Sequence, residues 1–256
     1  MKIAHIYPLS NIDMYRTNEY NMLLAQYAEK GFYDQMHIEH CFNIMDNGLY
    51  EGKQVSKNLY DLYRIVKAHK LKIDEMVVPD VANNCEENLK LFIKNIGNMK
   101  AIRRQSPKMR FMVVAQGKTI EEIIRAIRFI ERKVDEEDMH YVTIAISKLT
   151  PCDRTDKYLR QVYRECTCPI HFLGLKHVFE ELSKVKTIIR SCDTCQLSWL
   201  IGEDFKYRLN QLNCENVMKK QRKLELNALE DVHFDTTQVV KALALSSYVD
   251  VKLGGD

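Results

Sequence analysis

The sequence predicts an α/β protein, a parallel (β/α)8 TIM-type barrel that is irregular in part and carries additional C-terminal helices. Three observations lead there. Short apolar runs rich in Val, Ile and Phe lack polar alternation, as strands covered on both faces do. Amphipathic stretches at helical spacing separate them, giving the β-α-β-α rhythm of a parallel sheet. Finally, several runs end in a lone polar residue, and the carboxyl ends of strands are where parallel barrels keep their reactive groups.

Taken in order, strands are expected at roughly 2–7, 41–46, 74–80, 110–116, 141–147, 169–174 and 186–193. That is one short of eight; the missing strand is either hidden in an irregular segment or supplied by Tyr248 to Leu253. A helix over 55–70 is read from Val55, Leu59, Leu62, Tyr63 and Val66. Asn83 and Asn84 precede a second helix, 85–96. Ile120, Ile123, Ile124, Ile127 and Ile130 mark a third over 119–133, with Thr119 and Glu122 spaced as a capping box. His177 to Lys184 continues the alternation. No G-x-G-x-x-G follows any strand, which weakens an open doubly wound sheet. One domain is expected over 1–256, with 203–256 as a helical extension packed on the barrel. Its exposed Lys219, Lys220, Arg222 and Lys223 are either a solvated face or a phosphate-contact surface.

Composition sets the remaining bounds. The 256 residues, 46% of them hydrophobic, suffice for one large core without disulfide staples, so the eight cysteines are expected as reduced thiols in a cytoplasmic protein. Cys166 with Cys168, and Cys192 with Cys195, are close pairs, but Asp193 sits between the latter at an apparent strand end; no metal and no cofactor are expected. No apolar run approaches the roughly 18 residues of a membrane span, and Met1 to Ala4 is too short an apolar stretch for a secretory signal. A net charge of +3 neither demands nor forbids a polyanionic partner.

Five strand endings carry candidate chemistry: Asp46, Asp80, Gln116, Ser147 and Asp193. Singly, each reads as a helix cap or turn residue; repeated around a closed sheet, they read as a site. Paired carboxylates such as Asp46 and Asp193 can divide nucleophilic and proton-transfer work at a glycosidic carbon. The amide of Gln116 suits a base edge. His171 reads as a packed, hydrogen-bonded residue, and Lys148, just past its strand, is poorly placed for Schiff-base chemistry.

Over roughly residues 40 to 200, the ordered motifs resemble the guanine transglycosylase superfamily, the tRNA-guanine and DNA-guanine transglycosylases. The family's Asp-Ser-Gly-Gly-(Phe/Tyr)-Gln element corresponds to Asp46-Asn47-Gly48-Leu49-Tyr50-Glu51, its base-reading aspartate to Asp80, and its Gln-Gly to Gln116-Gly117. Its Tyr-Leu-Met-Gly-Val is similar to His171-Phe172-Leu173-Gly174-Leu175, and its nucleophilic aspartate to Asp193. The strand Ile144 to Ser147 lacks the family's glycines. Met45-Asp46-Asn47-Gly48, Pro79-Asp80 and Asp193-Thr194 make the small phage-type DNA members the closer likeness. Only Cys214 and His233 stand where bacterial tRNA enzymes carry a Cys-x-Cys-x-x-Cys…His zinc site.

The resemblance implies exchange of guanine in DNA for a 7-deazaguanine, in the host cytoplasm if the chain is phage-encoded. Asp193 would be the nucleophile and Asp46 the proton handler. Asp80 and Gln116 would read the base. Tyr50 and Leu173 would pack its faces, with Gly48, Ser147 and Gly174 lending backbone and Arg154 a phosphate or base contact. The same chemistry on tRNA is the near alternative. A non-catalytic nucleic-acid or deazapurine-binding barrel is another, which retention of both Asp46 and Asp193 argues against; a nucleoside or glycoside hydrolase is a third.

Overall fold

Eight strands pair in parallel, each with the next in sequence and the last with the first, into a closed ring. The computed structural model describes residues 2–7, 15, 19–36, 38–49, 54–148, 156–174 and 189–194. The strands are β1 (Lys2–His5), β2 (Tyr20–Leu24), β3 (Phe42–Asp46), β4 (Glu75–Val77), β5 (Arg110–Val114), β6 (Val142–Ser147), β7 (Ile170–Leu173) and β8 (Ser191–Thr194). Helices α1 (Ala25–Ala28), α2 (Leu59–Ala68), α3 (Cys85–Gln105), α4 (Ile120–Lys133) and α5 (Asp156–Glu165) lie between them. The (β/α)8 architecture is therefore present within the first 194 residues, and closure draws on β1 and β8. The segment 248–253 lies outside the described residues, as do 177–184 and the extension 203–256.

The eighth strand is β2, in the irregular stretch before residue 40. Tyr-Asn-Met-Leu-Leu contains no β-branched residue and runs directly into Ala-Gln-Tyr-Ala, so by propensity it reads as helix. Pairing overrides that preference: all five residues register against β3, Tyr20 with Phe42 through Leu24 with Asp46. Its polar residue, Asn21, is wholly buried, donating to the Asn43 side-chain oxygen (3.1 Å) and the Tyr15 carbonyl (3.0 Å). Asn43 in turn donates to the carbonyls of Ile38 and Lys72. This polar seam ties β2 and β3 to the loops that enclose them.

The helices follow their apolar periodicity with several differences. α2 begins at Leu59, where Asn58 caps it by accepting from the Tyr60 amide, and ends at Ala68, so Val55 lies ahead of the helix expected over 55–70. α3 runs nine residues past its expected end because Met99 and Ile102 continue the buried row of Cys85, Asn88, Phe92 and Asn95. Asn84 caps it, accepting from the Glu87 amide at 3.1 Å. Thr119 caps α4 by accepting from the Glu122 amide at 3.2 Å, but the Glu122 carboxylate returns to the amide of Lys118 rather than to that of Thr119. α5 was not read from the sequence: of its last six residues only Val162 is buried.

Register sets which side chains face inward, since paired residues of a parallel sheet share a side. Glu75 pairs with Arg110 and Ile44 with Glu75, putting a buried acid near the amino-terminal end of the barrel. Glu75 accepts from Thr143 Oγ1 and Arg190 Nη2, both at 2.5 Å. Above that layer lie Met22, Ile44, Met112 and Ala145, all buried.

His5 is buried, its ring stacked on Tyr7 at 5.9 Å, and its Nδ1 meets no hydrogen-bond partner among the described residues. Burial lowers its pKa from 6.5 to about 4, so the folded chain resists the proton that the unfolded chain takes up. Stability on this account is intact above the unfolded value and is lost as pH falls through 6.5 toward 4. The loss between pH 7 and pH 5 should be about 2 kcal/mol. Urea titrations of the protein and of His5→Phe at both pH values should show that extra decline only with the histidine; equal declines would refute it.

Candidate active site

The carboxyl ends of the strands gather two hydrogen-bonded clusters on opposite arcs of the ring. The first is built on β7 and β8. Side chains alternate along β8, so Ser191 and Asp193 share the inward side, and His171 is the registered partner of Ser191. Asp193 is 5% exposed and His171 has no exposed surface. Asp193 Oδ1 accepts from the Gly174 amide at 2.8 Å and meets His171 Nε2 at 3.1 Å. The other imidazole nitrogen, Nδ1, lies 2.8 Å from Ser191 Oγ. Both contacts on Asp193 thus engage one oxygen.

Gly174 is required there on two counts. Its φ is +67°, in the left-handed region. A Cβ at that position would stand 2.4 Å from Cδ of Lys148 and 3.0 Å from its Nζ. The Lys148 side chain therefore crosses the Gly174 backbone and brings an ammonium to the rim beside the Asp193 cluster. Ser147 and Leu173, registered against each other at the ends of β6 and β7, complete this arc.

The second cluster follows β3, β4 and β5. Asp80 is 5% exposed, and both its oxygens are engaged: Oδ1 by Asn47 Nδ2 at 2.7 Å, Oδ2 by Gln116 Nε2 at 2.6 Å. Burial pushes the Asp80 carboxyl up, and the amide donors of Gln116 and Asn47 oppose that rise. Gln116 accepts from the Asn83 amide at 3.2 Å, which fixes its flip state. Asn88 on α3 holds the next step of chain, accepting from the Val81 amide and donating to the Val114 carbonyl. Ahead of Asn47, Asp46 Oδ2 accepts from the Gly48 amide at 2.9 Å, and Asn47 Oδ1 from that of Leu49 at 2.9 Å. These consecutive Asx turns, with Gly48 at φ +81°, shape the loop that presents Asn47 to Asp80.

Asp46, Ser147 and Asp193 thus lie on strands, whereas Asp80 and Gln116 stand just beyond theirs. Asp80 and Gln116 touch each other; Asp46 and Gly48 join them through Asn47, and Gly174 joins Asp193. Tyr50 and Arg154 lie outside the described residues. Asn47, Asn88, Ser191 and Lys148 carry no assigned role in the sequence reading. The first two are ordinary turn and helix residues by pattern, and only long-range pairing discloses their partners. His171 is packed and hydrogen-bonded as expected, with Asp193 as its partner.

Among the described residues no group of three or more His, Cys, Asp or Glu could hold a metal ion. Cys41, Cys85, Cys166, Cys168 and Cys192 are free thiols. Burial, and then the neighbouring Glu131, raises the Cys166 thiol far above its ordinary value and pushes Cys168 up to about 12. No helix among the described residues is long and apolar enough to cross a membrane. Compared with known protein families and with curated proteins, the chain matches neither a family model nor an individual protein.

Removing the Gln116 donor tests the Asp80 cluster. Gln116→Leu leaves Asp80 Oδ2 without that bond and should destabilise the fold by about 1–3 kcal/mol at neutral pH. The cost should shrink as pH falls and Asp80 takes up a proton, since the lost donor served the charged form. Denaturant titrations at pH 7 and pH 4.5 read this directly; a cost that grew on acidification would contradict the assignment.

Proposed function

We propose that the barrel is a guanine transglycosylase acting on DNA, exchanging guanine for a 7-deazaguanine through a glycosyl-aspartate. The observation that carries this reading is the placement of two buried, hydrogen-bonded carboxylates, Asp80 after β4 and Asp193 on β8, on strands half a turn apart in an eight-membered ring. A planar base held at one and a sugar offered to the other would span the mouth between them. The ordered motif resemblance supplies the chemistry.

In this mechanism the Asp193 oxygen opposite Oδ1 forms a bond to C1′ of the target nucleoside. The C1′–N9 bond breaks, and guanine departs with its electron pair, taking a proton from Asp46. The incoming deazaguanine then gives its ring N–H proton back to Asp46 and attacks C1′, breaking the ester bond to Asp193. Holding Oδ1 by the Gly174 amide and His171 supports such a role, because the carboxylate is oriented before substrate arrives. Asp80 suits a guanine edge. Each oxygen already accepts one amide donor but keeps a lone pair for the ring N–H and the exocyclic amine. Gln116 acts first by fixing Asp80. A target nucleotide must leave its stack to reach this pocket.

The deciding assay supplies the protein with DNA or tRNA and labelled guanine or 7-deazaguanine. Label should enter DNA, Asp193→Ala should abolish incorporation, and a covalent adduct should be trapped on a denaturing gel. Incorporation into tRNA alone would reassign the polymer; release of free base without incorporation would make the enzyme a hydrolase.

A further inference from the structure

We infer that His171 is a positioning residue for Asp193, its tautomer held by Asp193 on one side and, from the amino-terminal end of the barrel, by Ser191 and Arg190 on the other. The inference rests on the transglycosylase reading only for the consequence to catalysis; the arrangement itself stands on hydrogen-bond geometry. Ser191 Oγ accepts from Arg190 Nε at 3.2 Å. The same guanidinium donates through Nη2 to the Tyr20 hydroxyl at 3.2 Å, which fixes its plane. A serine oxygen has two lone pairs and one hydrogen. Arg190 can only donate and so takes a lone pair, while the Asp193 carboxylate, which only accepts, draws the ring proton to Nε2. The Ser191 hydrogen is left to point to His171 Nδ1 at 2.8 Å.

The direction then propagates. Nδ1 acts as acceptor, so the ring proton sits on Nε2 and is donated to Asp193 Oδ1 at 3.1 Å. Every donor in the string Arg190–Ser191–His171 faces Asp193, and the string ends on an anion. The guanidinium at its start is immobilised by Glu75, whose carboxylate lies 2.5 Å from Nη2. Arg190 also lines an open basin at the amino-terminal end of the barrel, so the string joins the two faces of the ring. The opposite tautomer would set a lone pair of Nε2 against the Asp193 carboxylate, rotating or protonating the group that must attack.

The test is the nitrogen-15 spectrum of the full chain labelled at histidine, with the His171 signals assigned by their loss in His171→Gln. Nε2 should be protonated and Nδ1 bare, and Ser191→Ala should raise the population of the other tautomer. A protonated Nδ1 in the unsubstituted protein, or an unchanged spectrum in Ser191→Ala, would overturn the inference; the first measurement needs no variant of Ser191 to fold. In the exchange assay His171→Leu should lower kcat by about 10- to 100-fold with KM little changed. His171→Gln, whose amide can still donate to Asp193, should recover most of that loss. Equal losses in both variants would reduce His171 to a packing role. If the spectrum is as expected but the parent protein exchanges no base, the transglycosylase reading fails while the hydrogen-bond string stands.

Discussion

The ion pair between Glu75 and Arg190 is the constraint on which the rest of the barrel interior depends. Glu75 has no exposed surface, and a buried carboxylate costs several kcal/mol unless it is paired and hydrogen-bonded. Three groups answer it: Arg190, the Thr143 hydroxyl and, at 3.8 Å, Arg110. Arg190 comes from the residue before β8, Thr143 from β6 and Arg110 from β5, so a single acid on β4 gathers three other segments. Replacing one partner alone would strand a charge. That is a stronger device for fixing strand order than apolar packing, which tolerates substitution of shape for shape.

Above this layer the polar character returns at the carboxyl ends. Between the two polar layers lies an apolar girdle of Met22, Ile44, Met112 and Ala145, which separates the floor from the mouth on most strands. β7 and β8 break the girdle with His171 and Ser191. The same barrel thus has an insulated side, where Asp80 is held by local amides, and a conducting side, where Asp193 answers to residues a full strand length away.

The fold was legible because several strands carry or adjoin apolar runs, as Phe111 to Val114 on β5 and Ile144 to Ile146 on β6 do, and α4 has a continuous apolar stripe. β2 was hidden because Met and Leu favour helix and because Asn21, its one polar residue, finds its partner 22 residues onward. The buried face of α3 was partly hidden by Asn88 and Asn95, which read as surface residues until their bonds to Val114 and Leu59 are seen. At the site, Asp46, Asp80, Gln116 and Asp193 were accessible from their place at strand ends. Their holders were not: Asn47 and Ser191 act through the orientation of single hydrogen atoms, and no spacing rule encodes that.

The strand that bears Asp193 pairs on one side with β1, the first strand of the chain, Ala4 beside Asp193 itself. During synthesis β8 is the last barrel strand to emerge, so the ring cannot shut until the sequence through residue 194 is available. Pairings of such separation are slow to form, because the intervening chain must be ordered before they are rewarded. Until then Asp193, His171 and Gly174 lack a closed wall around them. Site geometry and completed tertiary structure therefore arrive together, and a stalled or clipped chain is left with an open sheet edge and an unassembled Asp193 cluster.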